Sequence, residues 1–357
     1  IMAYTSIDDP AQYFNTVLYT GTGSSNAVTG VGFQPDWVWI KSRSLSQDHK
    51  LHDIVRGTNG GYYESLRSNS NVASDVEADG AADNTGMSAI GSDGFTVVSN
   101  DSHNKSSATY ASWNWKAGGS ASSNSDGSIT SSVSASTTAG FSIVSYTGTG
   151  SNATVGHGLG AVPKMIFFKD RETSVDWGVY AEPNGNTKEM YLSTTDAAGT
   201  NSGAFNNTTP TSSVFTIGTS SRYNPSSKGV IAYCFADVKG YTKIGSYTGN
   251  GNADGTFVYT GFRPAWILIK RSSSGTMDWI LHDNKRAGFN VNDDYLIANT
   301  NSAEITGNSF RSLDILSNGF KLRGTQAETN DSGETYIYMS FAESPLVNSN
   351  GIPTNAR

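Results

Sequence analysis

The run Phe33-Gln34-Pro35-Asp36-Trp37-Val38-Trp39-Ile40-Lys41 decides the fold, because versions of it occur three times in the 357-residue chain. The second version is Leu159-Gly160-Ala161-Val162-Pro163-Lys164-Met165-Ile166-Phe167-Phe168-Lys169, and the third is Phe262-Arg263-Pro264-Ala265-Trp266-Ile267-Leu268-Ile269-Lys270. In each, a proline stands two residues ahead of a short apolar run that ends in lysine. Proline fixes φ and lacks an amide donor, which suits the start of a strand. The apolar run is too short for a helix and rich in aromatic and branched side chains, so it predicts a buried strand.

The alternation of side chains in the first run predicts a central strand. Residues two apart on a strand share a face, so Trp37, Trp39 and Lys41 lie on one face and Val38 and Ile40 on the other. Apolar residues on both faces indicate that both are covered, either between two sheets or between a sheet and a neighbouring domain.

Further landmarks recur in the same register and indicate a triplicated chain. A Tyr-Thr-Gly motif begins at Tyr19, Tyr146 and Tyr247, which is 22, 23 and 23 residues before the lysine of each run. A turn followed by phenylalanine lies downstream, and an aromatic-rich strand closes each copy at 110–115, 230–235 and 336–341. Recurrence at near-constant spacing is the signature of internal repeats.

The repeats predict an all-β fold of three tandem β-sandwich units of about 100 residues each. The predicted divisions are an N-terminal arm at 1–14, a first repeat at 15–118, a Ser/Gly-rich linker at 119–139, a second repeat at 140–239, a third at 240–345 and a polar C-terminal tail at 346–357. A flexible linker would let the first repeat sit apart, whereas the second and third are joined directly and are expected to pack tightly.

Composition and charge disfavour two kinds of partner. The net charge is −7, from 24 basic and 31 acidic side chains, and the basic residues form no cluster, so nucleic-acid binding is not expected. The sequence has no run of 18 apolar residues, so membrane insertion is not expected. The polar residues 1–10 predict no secretory signal.

Two His-Asp dipeptides, His52-Asp53 and His282-Asp283, occupy equivalent places after the strand lysines. Adjacent residues on a strand point to opposite faces and cannot share a site, and the sequence has no G-x-S-x-G elbow for a nucleophilic serine. Both dipeptides are therefore predicted to be structural. The single cysteine, Cys234, is predicted to be a small buried side chain.

An acidic stretch in the first repeat is the candidate metal site. Asp75, Glu77, Asp79 and Asp83 take positions 1, 3, 5 and 9 of a pattern that mimics the start of a calcium loop. Position 12 is Gly86 instead of the bidentate glutamate, which favours a solvated surface loop over a calcium site. Calcium is the one cofactor that the sequence suggests.

Aromatic residues are abundant, with seven Trp and 17 Tyr in a mostly polar chain. Exposed aromatic rings beside Asn and Asp suit the stacking and hydrogen bonding of sugars. Trp37, Trp113 and Trp115 fall on repeated strand positions and are predicted to be core residues. The candidates for a binding surface are three tyrosines in loop-like surroundings, Tyr62, Tyr63 and Tyr223.

Several motifs resemble a family of repeat-bearing virion structural proteins of tailed, marine-type bacteriophages. They are Met2-Ala3-Tyr4-Thr5, Tyr13-Phe14-Asn15-Thr16, the first strand run and Trp113-Asn114-Trp115-Lys116-Ala117-Gly118-Gly119. The resemblance covers essentially the whole chain and is looser in the second repeat, where Met165 replaces Trp. It implies jelly-roll or lectin-like sandwiches, assembly into a virion in the host cytoplasm, other virion proteins as partners, and a homo-oligomer. It brings no catalytic residues.

The leading hypothesis is a non-enzymatic virion surface protein, which would be a tail fibre, spike or capsid decoration that displays loops to host or environmental glycans. Two alternatives stay open. A tailspike-like polysaccharide-degrading enzyme would place its site between subunits and turn over a glycan. A stand-alone carbohydrate-binding protein would bind sugar as an isolated monomer.

Overall fold

The computed structural model describes residues 4–73 and 86–354 and consists of antiparallel sheets with only short helical turns. We divide it into a first segment (4–118), a second segment (119–239) and a third segment (240–354). Each segment contributes one large sheet and one small sheet. The all-β prediction is therefore confirmed.

The first segment forms a large sheet in the order β1-β9-β3-β4, a small sheet in the order β2-β8-β7, and the hairpin β5-β6. A 3-10 turn at Pro10–Gln12 precedes β1. The strands are β1 (Phe14–Thr20), β2 (Asn26–Thr29), β3 (Trp37–Ser42), β4 (Lys50–Asp53), β5 (Thr58–Asn59), β6 (Tyr62–Tyr63), β7 (Met87–Gly91), β8 (Gly94–Val97) and β9 (Thr109–Trp115).

The second segment has the longest sheet, in the order β10-β11-β12-β19-β14-β15-β16-β17, and the small sheet β13-β18. A 3-10 turn lies at Glu182–Asn184 and a one-turn α-helix, α1, at Ser202–Phe205. The strands are β10 (Ser122–Asn124), β11 (Ser131–Ser136), β12 (Phe141–Thr147), β13 (Ala153–Gly156), β14 (Pro163–Asp170), β15 (Gly178–Ala181), β16 (Lys188–Tyr191), β17 (Gly199–Thr200), β18 (Val214–Ile217) and β19 (Gly229–Ala236).

The third segment has a large sheet in the order β20-β27-β22-β23-β24 and a small sheet in the order β21-β26-β25. A 3-10 turn at Ser309–Arg311 precedes β25. The strands are β20 (Thr242–Thr248), β21 (Phe257–Tyr259), β22 (Phe262–Arg271), β23 (Ile280–Asp283), β24 (Leu296–Ile297), β25 (Leu313–Leu316), β26 (Gly319–Leu322) and β27 (Thr335–Pro345).

The three large sheets share one strand order. The runs that end in lysine form β3, β14 and β22, each hydrogen-bonded on one side to the closing strand and on the other to the strand that follows it. The predicted central position of these runs is confirmed, and every residue of β3 is buried.

The inner faces of the three large sheets meet in one apolar core. Each fully buried large apolar side chain contributes about 1.5–3 kcal/mol of stabilisation. The core aromatics include Trp37, Trp39, Trp113, Trp115, Phe141, Phe167, Tyr233, Phe235, Trp266 and Phe341. Trp37 stacks on Tyr233 with ring centroids 4.6 Å apart, and Trp115 meets Phe341 edge-on at 5.6 Å. The core role predicted for Trp37, Trp113 and Trp115 is confirmed.

The outer faces of the large sheets pack against the small sheets, with a separate apolar cluster in each segment. The clusters include Val28, Val38, Ile40 and Phe95 in the first segment, Ile166, Phe168, Phe215 and Ile217 in the second, and Val258, Ile267, Ile269 and Phe320 in the third. Both faces of each central strand are therefore covered, on one side by the common core and on the other by a small sheet.

Three hydrogen bonds link the large sheets in a closed cycle. They join Trp177 Nε1 to the Arg67 carbonyl at 2.8 Å, Trp279 Nε1 to the Tyr191 carbonyl at 2.9 Å, and His49 Nε2 to the Ile297 carbonyl at 3.1 Å. His49 Nδ1 accepts a hydrogen bond from Trp39 Nε1, so the ring proton of His49 lies on Nε2 and is donated. Each segment thus donates from an equivalent position to its neighbour, and the third segment closes back on the first.

Residues 119–139 were predicted to form a linker, and this prediction is wrong because they contain two strands of the second large sheet. These strands, β10 and β11, extend the edge of the second large sheet, and Val133 is buried against Val144. The hydroxyl of Ser134 accepts a hydrogen bond from the amide of Gly118. The first segment does not sit apart, because its large sheet forms one wall of the common core.

The N-terminal arm packs against the common core and the third segment, and it contacts the C-terminal tail. Ile7 is buried in the common core, and Tyr13 meets Tyr241 edge-on at 6.1 Å. The carboxylate of Asp8 accepts a 2.6 Å hydrogen bond from the amide of Ser349. The two ends of the described chain are therefore held side by side.

Candidate ligand-binding groove

The first His-Asp dipeptide belongs to a buried network between the first and second segments. Asp53 forms a 2.5 Å ion pair with Arg56 and accepts a 2.6 Å hydrogen bond from the hydroxyl of Tyr233. Burial alone would raise the pKa of Asp53, but Arg56 and the hydrogen bonds outweigh it and hold the pKa below its usual value. We call Asp53, Arg56 and Tyr233 the first polar network.

The second His-Asp dipeptide repeats this arrangement between the third and first segments. Asp283 forms a 2.6 Å ion pair with Arg286 and accepts a 3.0 Å hydrogen bond from Trp113 Nε1. Glu304 bridges Arg286 at 2.8 Å and Arg43 of the first segment at 2.7 Å. We call Asp283, Arg286 and Trp113 the second polar network. Both networks are completely buried and join sheets, as expected for structural residues.

The two histidines lie on the opposite face of their strands from the aspartates. His52 Nε2 lies 2.9 Å from His103 Nε2, and both rings are buried. His282 Nδ1 lies 3.1 Å from the side-chain oxygen of Asn292, and burial lowers the pKa of His282 to about 4. The structural interpretation of both dipeptides is therefore supported by geometry. Cys234 is also buried as predicted, and its burial raises the pKa of the thiol.

The tyrosines predicted to form a binding surface do not come together. Tyr62 and Tyr63 are half-buried in the β5-β6 hairpin of the first segment. Tyr223 is completely buried in the second segment, where its hydroxyl donates a 2.6 Å hydrogen bond to Glu189 and its ring packs on Phe168. The prediction that Tyr223 is a surface residue is wrong, because a loop with polar neighbours folds its ring into the outer cluster.

The candidate calcium ligands Asp75, Glu77, Asp79 and Asp83 lie outside the described residues. Within 4–73 and 86–354, no three or more His, Cys, Asp or Glu side chains are grouped so that they could hold a metal ion. No helix in this part of the chain is long and apolar enough to cross a membrane.

An open groove of about 390 Å³, where the N-terminal arm meets the junction of the second and third segments, combines aromatic rings with charged groups. Its walls come from three distant parts of the chain, namely the arm with Tyr4, the β19-β20 turn with Lys239, and the end of β21 with Tyr259. Asp237 and Lys243 complete its charged lining. We call this the Tyr259 groove.

Strand alternation exposes the ring of Tyr259, which lines the groove. Val258 points inward to the outer cluster, so its neighbours Phe257 and Tyr259 point outward and are 44% and 54% exposed. The equivalent pairs flanking Val28 and Val155 are Ala27 with Thr29, and Thr154 with Gly156. The exposed aromatic pair is therefore particular to the third segment.

Hydrogen bonds from Tyr4 hold the arm against this wall. The Tyr4 hydroxyl donates to the Gly261 carbonyl at 2.8 Å and lies 3.3 Å from the Tyr259 hydroxyl. Burial raises the pKa of Tyr4, so its phenol stays neutral. Gly261 has φ +84°, and a Cβ there would lie 2.9 Å from the Tyr4 hydroxyl, so a side chain at this position would displace the arm.

Two of the three charged side chains that line the Tyr259 groove form an ion pair with each other, and the third contacts an aromatic ring. Lys243 forms a 2.5 Å ion pair with Asp237, while the Lys239 ammonium lies over the Tyr4 ring, 4.6 Å from its centroid. Lys239 is exposed at the tip of a turn whose next residue, Gly240, has φ +79°. An aromatic ring, a neutral phenol and an ammonium group thus line one concave surface.

A larger groove of about 590 Å³ is formed by residues of the third segment. It is lined by Arg263, Asn290, Asn318, Glu343 and other polar or aliphatic residues. Arg263 pairs with Glu343 at 2.5 Å, and Asn290 exchanges two hydrogen bonds with the backbone of Ile315. These polar groups are largely satisfied within the protein, so the Tyr259 groove is the better candidate for ligand binding.

Sequence reasoning missed Tyr4, Lys239 and Tyr259. The exposure of Tyr259 could have been predicted from the alternation Phe257-Val258-Tyr259, because the matching positions of the other repeats carry small or polar residues. The position of Tyr4 could not be predicted from the sequence, because Tyr4 is 255 residues away from Tyr259 in the chain.

Comparison with protein families gives a match over most of the chain. The family described as "Domain of unknown function (DUF7483)" matches residues 9–345. No curated protein and no solved structure matches the chain. Because the match covers all three segments and most of the sequence, the chain belongs to the DUF7483 family.

Proposed function

We propose that this chain is a non-enzymatic surface protein of tailed-phage virions, as a tail fibre, spike or capsid decoration protein, and that it binds host or environmental glycans in the Tyr259 groove. The observation that carries the glycan-binding part is the exposed Tyr259 ring beside hydrogen-bonding and charged groups on one concave surface. The apolar C–H face of a pyranose stacks on an aromatic ring, and its hydroxyls need polar partners at the rim.

The virion part of the proposal rests on the sequence resemblance, and the architecture suits it. Each large sheet with its small sheet encloses an apolar cluster, so we infer three sandwiches of the jelly-roll or lectin-like kind. Three such units around a common core make a rigid support on which a groove or loop can be displayed. Self-association into a homo-oligomer belongs to the same proposal, and the native mass of the purified protein tests it.

The non-enzymatic part is supported by the positions of the groups that the sequence singled out for chemistry. The His-Asp dipeptides and Cys234 are buried in structural contacts away from the groove. The groove itself offers one carboxylate, Asp237, which is paired with Lys243. Binding by stacking and hydrogen bonding is the function that these groups support best.

A glycan array with matched aromatic variants tests the proposal. We expect the wild-type protein to bind at least one glycan, and Tyr259→Ala to weaken that binding about tenfold or more, since loss of about 1.4 kcal/mol is a factor of ten. Phe310→Ala is the control, because Phe310 is an equally exposed ring, at 58%, that does not line the groove.

Three results would overturn the proposal. One is the absence of binding to any glycan. Another is equal loss of binding in the Tyr259→Ala and Phe310→Ala variants. Turnover of the bound glycan would contradict the non-enzymatic part and favour a polysaccharide-degrading enzyme.

A further inference from the structure

We infer that the Tyr259 groove selects acidic glycans, in which a sugar ring stacks on Tyr259 and an anionic substituent binds Lys239. This inference rests on the proposed glycan-binding function and adds the class of ligand. It follows from the charge balance of the groove and the positions of its groups.

The groove carries an excess of one positive charge. Of its three charged side chains, Asp237 and Lys243 neutralise each other in a 2.5 Å ion pair. Among the residues that the structure describes, Lys239 has no carboxylate within ion-pair distance, and its contact is the Tyr4 ring. Lys239 lines the groove, and its ammonium group is held over the ring of Tyr4, which lines the same groove.

This positive site lies on a molecule whose net charge is negative. The chain carries a net charge of −7, which repels polyanions in general. A local cation on such a background attracts an anion only where a second contact holds the ligand. The exposed Tyr259 ring on the same groove supplies that contact.

The neutral phenol of Tyr4 links the two binding elements. Its ring contacts the Lys239 ammonium, and its hydroxyl lies 3.3 Å from the Tyr259 hydroxyl. The cation, the Tyr4 ring and the Tyr259 phenol are therefore joined by successive contacts within one groove. We expect a sugar that stacks on Tyr259 to direct a ring substituent past Tyr4 toward Lys239. A carboxylate or sulfate on the ring, which are two sources of the same anionic chemistry, would meet the ammonium group.

The inference is tested by titrating the full-length protein with paired polysaccharides in a calorimeter. The carboxylated probes are oligouronates, each compared with its carboxyl-reduced neutral form, and sulfated oligosaccharides form a separate arm compared with their desulfated forms. We expect at least one acidic form to bind at least fivefold more tightly than its neutral counterpart at low salt, and the preference to shrink as salt is added.

Lysine variants separate charge from shape. Lys239→Gln should abolish the preference for the acidic form, and Lys239→Arg, which keeps the charge, should retain it. Thermal unfolding of each variant checks that the fold is intact. The carboxylated and sulfated probes can give different results. The group recognised is then the one, carboxylate or sulfate, for which the protein's preference for the acidic form disappears in Lys239→Gln.

The outcomes distinguish this inference from the proposed function. Equal binding of acidic and neutral forms, with loss of both in Tyr259→Ala, would overturn the acidic preference and leave glycan binding standing. An acidic preference that persists in Lys239→Gln would also overturn the assignment of Lys239. Failure of every probe to bind would count against both.

Discussion

The hydroxyl of Tyr233 donates a 2.6 Å hydrogen bond to the buried carboxylate of Asp53, although the two residues are 180 positions apart in the sequence. This contact joins the closing strand of the second segment to the first segment. Its counterpart between the first and third segments is the bond from Trp113 to Asp283. Between the third and second segments, Met339 takes the place of the donor and Ala181 takes the place of the acid. Both are apolar, so this boundary has no equivalent hydrogen bond between these two positions.

The first polar network predicts a large effect of removing its acid. Asp53→Ala leaves Arg56 buried without its ion-pair partner, and we expect the free energy of unfolding to fall by about 3–5 kcal/mol. Tyr233→Phe removes one hydrogen bond and should cost about 1–2 kcal/mol. Urea unfolding of both variants and of the double variant measures these changes.

The double variant provides the control for that prediction. Because Tyr233 donates directly to Asp53, the two losses should not add in the double variant. Additive losses, or a change of less than about 0.5 kcal/mol in Asp53→Ala, would contradict the role assigned to this network.

Three buried lysines predict that stability rises with pH. Burial lowers the pKa of Lys41 to about 7 and the pKa of Lys169 and of Lys270 to about 8. The ordinary value is 10.5, so between about pH 7 and 9 these three lysines bind more protons in the unfolded chain than in the folded chain. The free energy of unfolding should therefore increase with pH in this interval, by up to about 1.4 kcal/mol per pH unit for each lysine.

Unfolding in urea at pH 7, 8 and 9 checks the lysine prediction. Lys169→Met, which removes one of the three titrating groups, should flatten the pH dependence by about one third of the wild-type slope. The prediction fails if the wild-type free energy of unfolding is constant or falls across this range.

The sheet edge formed by β11 predicts that the Ser-rich segment 119–139 contributes to stability. Val133 is 5% exposed and packs in the outer cluster of the second segment. Val133→Ala removes buried methyl groups and should lower the free energy of unfolding by about 1–2 kcal/mol. Ser123→Ala, at an exposed position of the neighbouring strand β10, serves as the control and should have little effect. An unchanged stability in Val133→Ala would instead favour a flexible linker.

The sequence was sufficient to predict the repeated central and closing strands but not how the large sheets pair across the core. Period-2 patterns placed Trp37 and Trp39 on one face, and the repeat spacing placed the equivalent runs in equivalent strands. The pattern could not distinguish a face covered by a second sheet from one covered by a neighbouring segment. Strands β10 and β11 were missed because serine has a low strand propensity, and their pairing comes from the adjacent β12.

The candidate site was less accessible to sequence reasoning than the fold. Tyr223 was misassigned because its immediate neighbours are polar, while its actual contacts, Phe168 and Phe205, are distant in sequence. The Tyr259 groove is assembled from an arm, a turn and a strand end that have no common motif. Its exposed ring, Tyr259, stands where the other two copies have Thr29 and Gly156. This difference is seen only when the three copies are compared position by position.

The single shared core is tested most directly by differential scanning calorimetry of the full-length protein. Sheets that are joined by one apolar core and a closed cycle of hydrogen bonds should unfold together. We predict one transition whose calorimetric and van't Hoff enthalpies agree, with a ratio of about 1. Resolved transitions, or a ratio of about 3, would show that the three segments unfold independently and would contradict the common core.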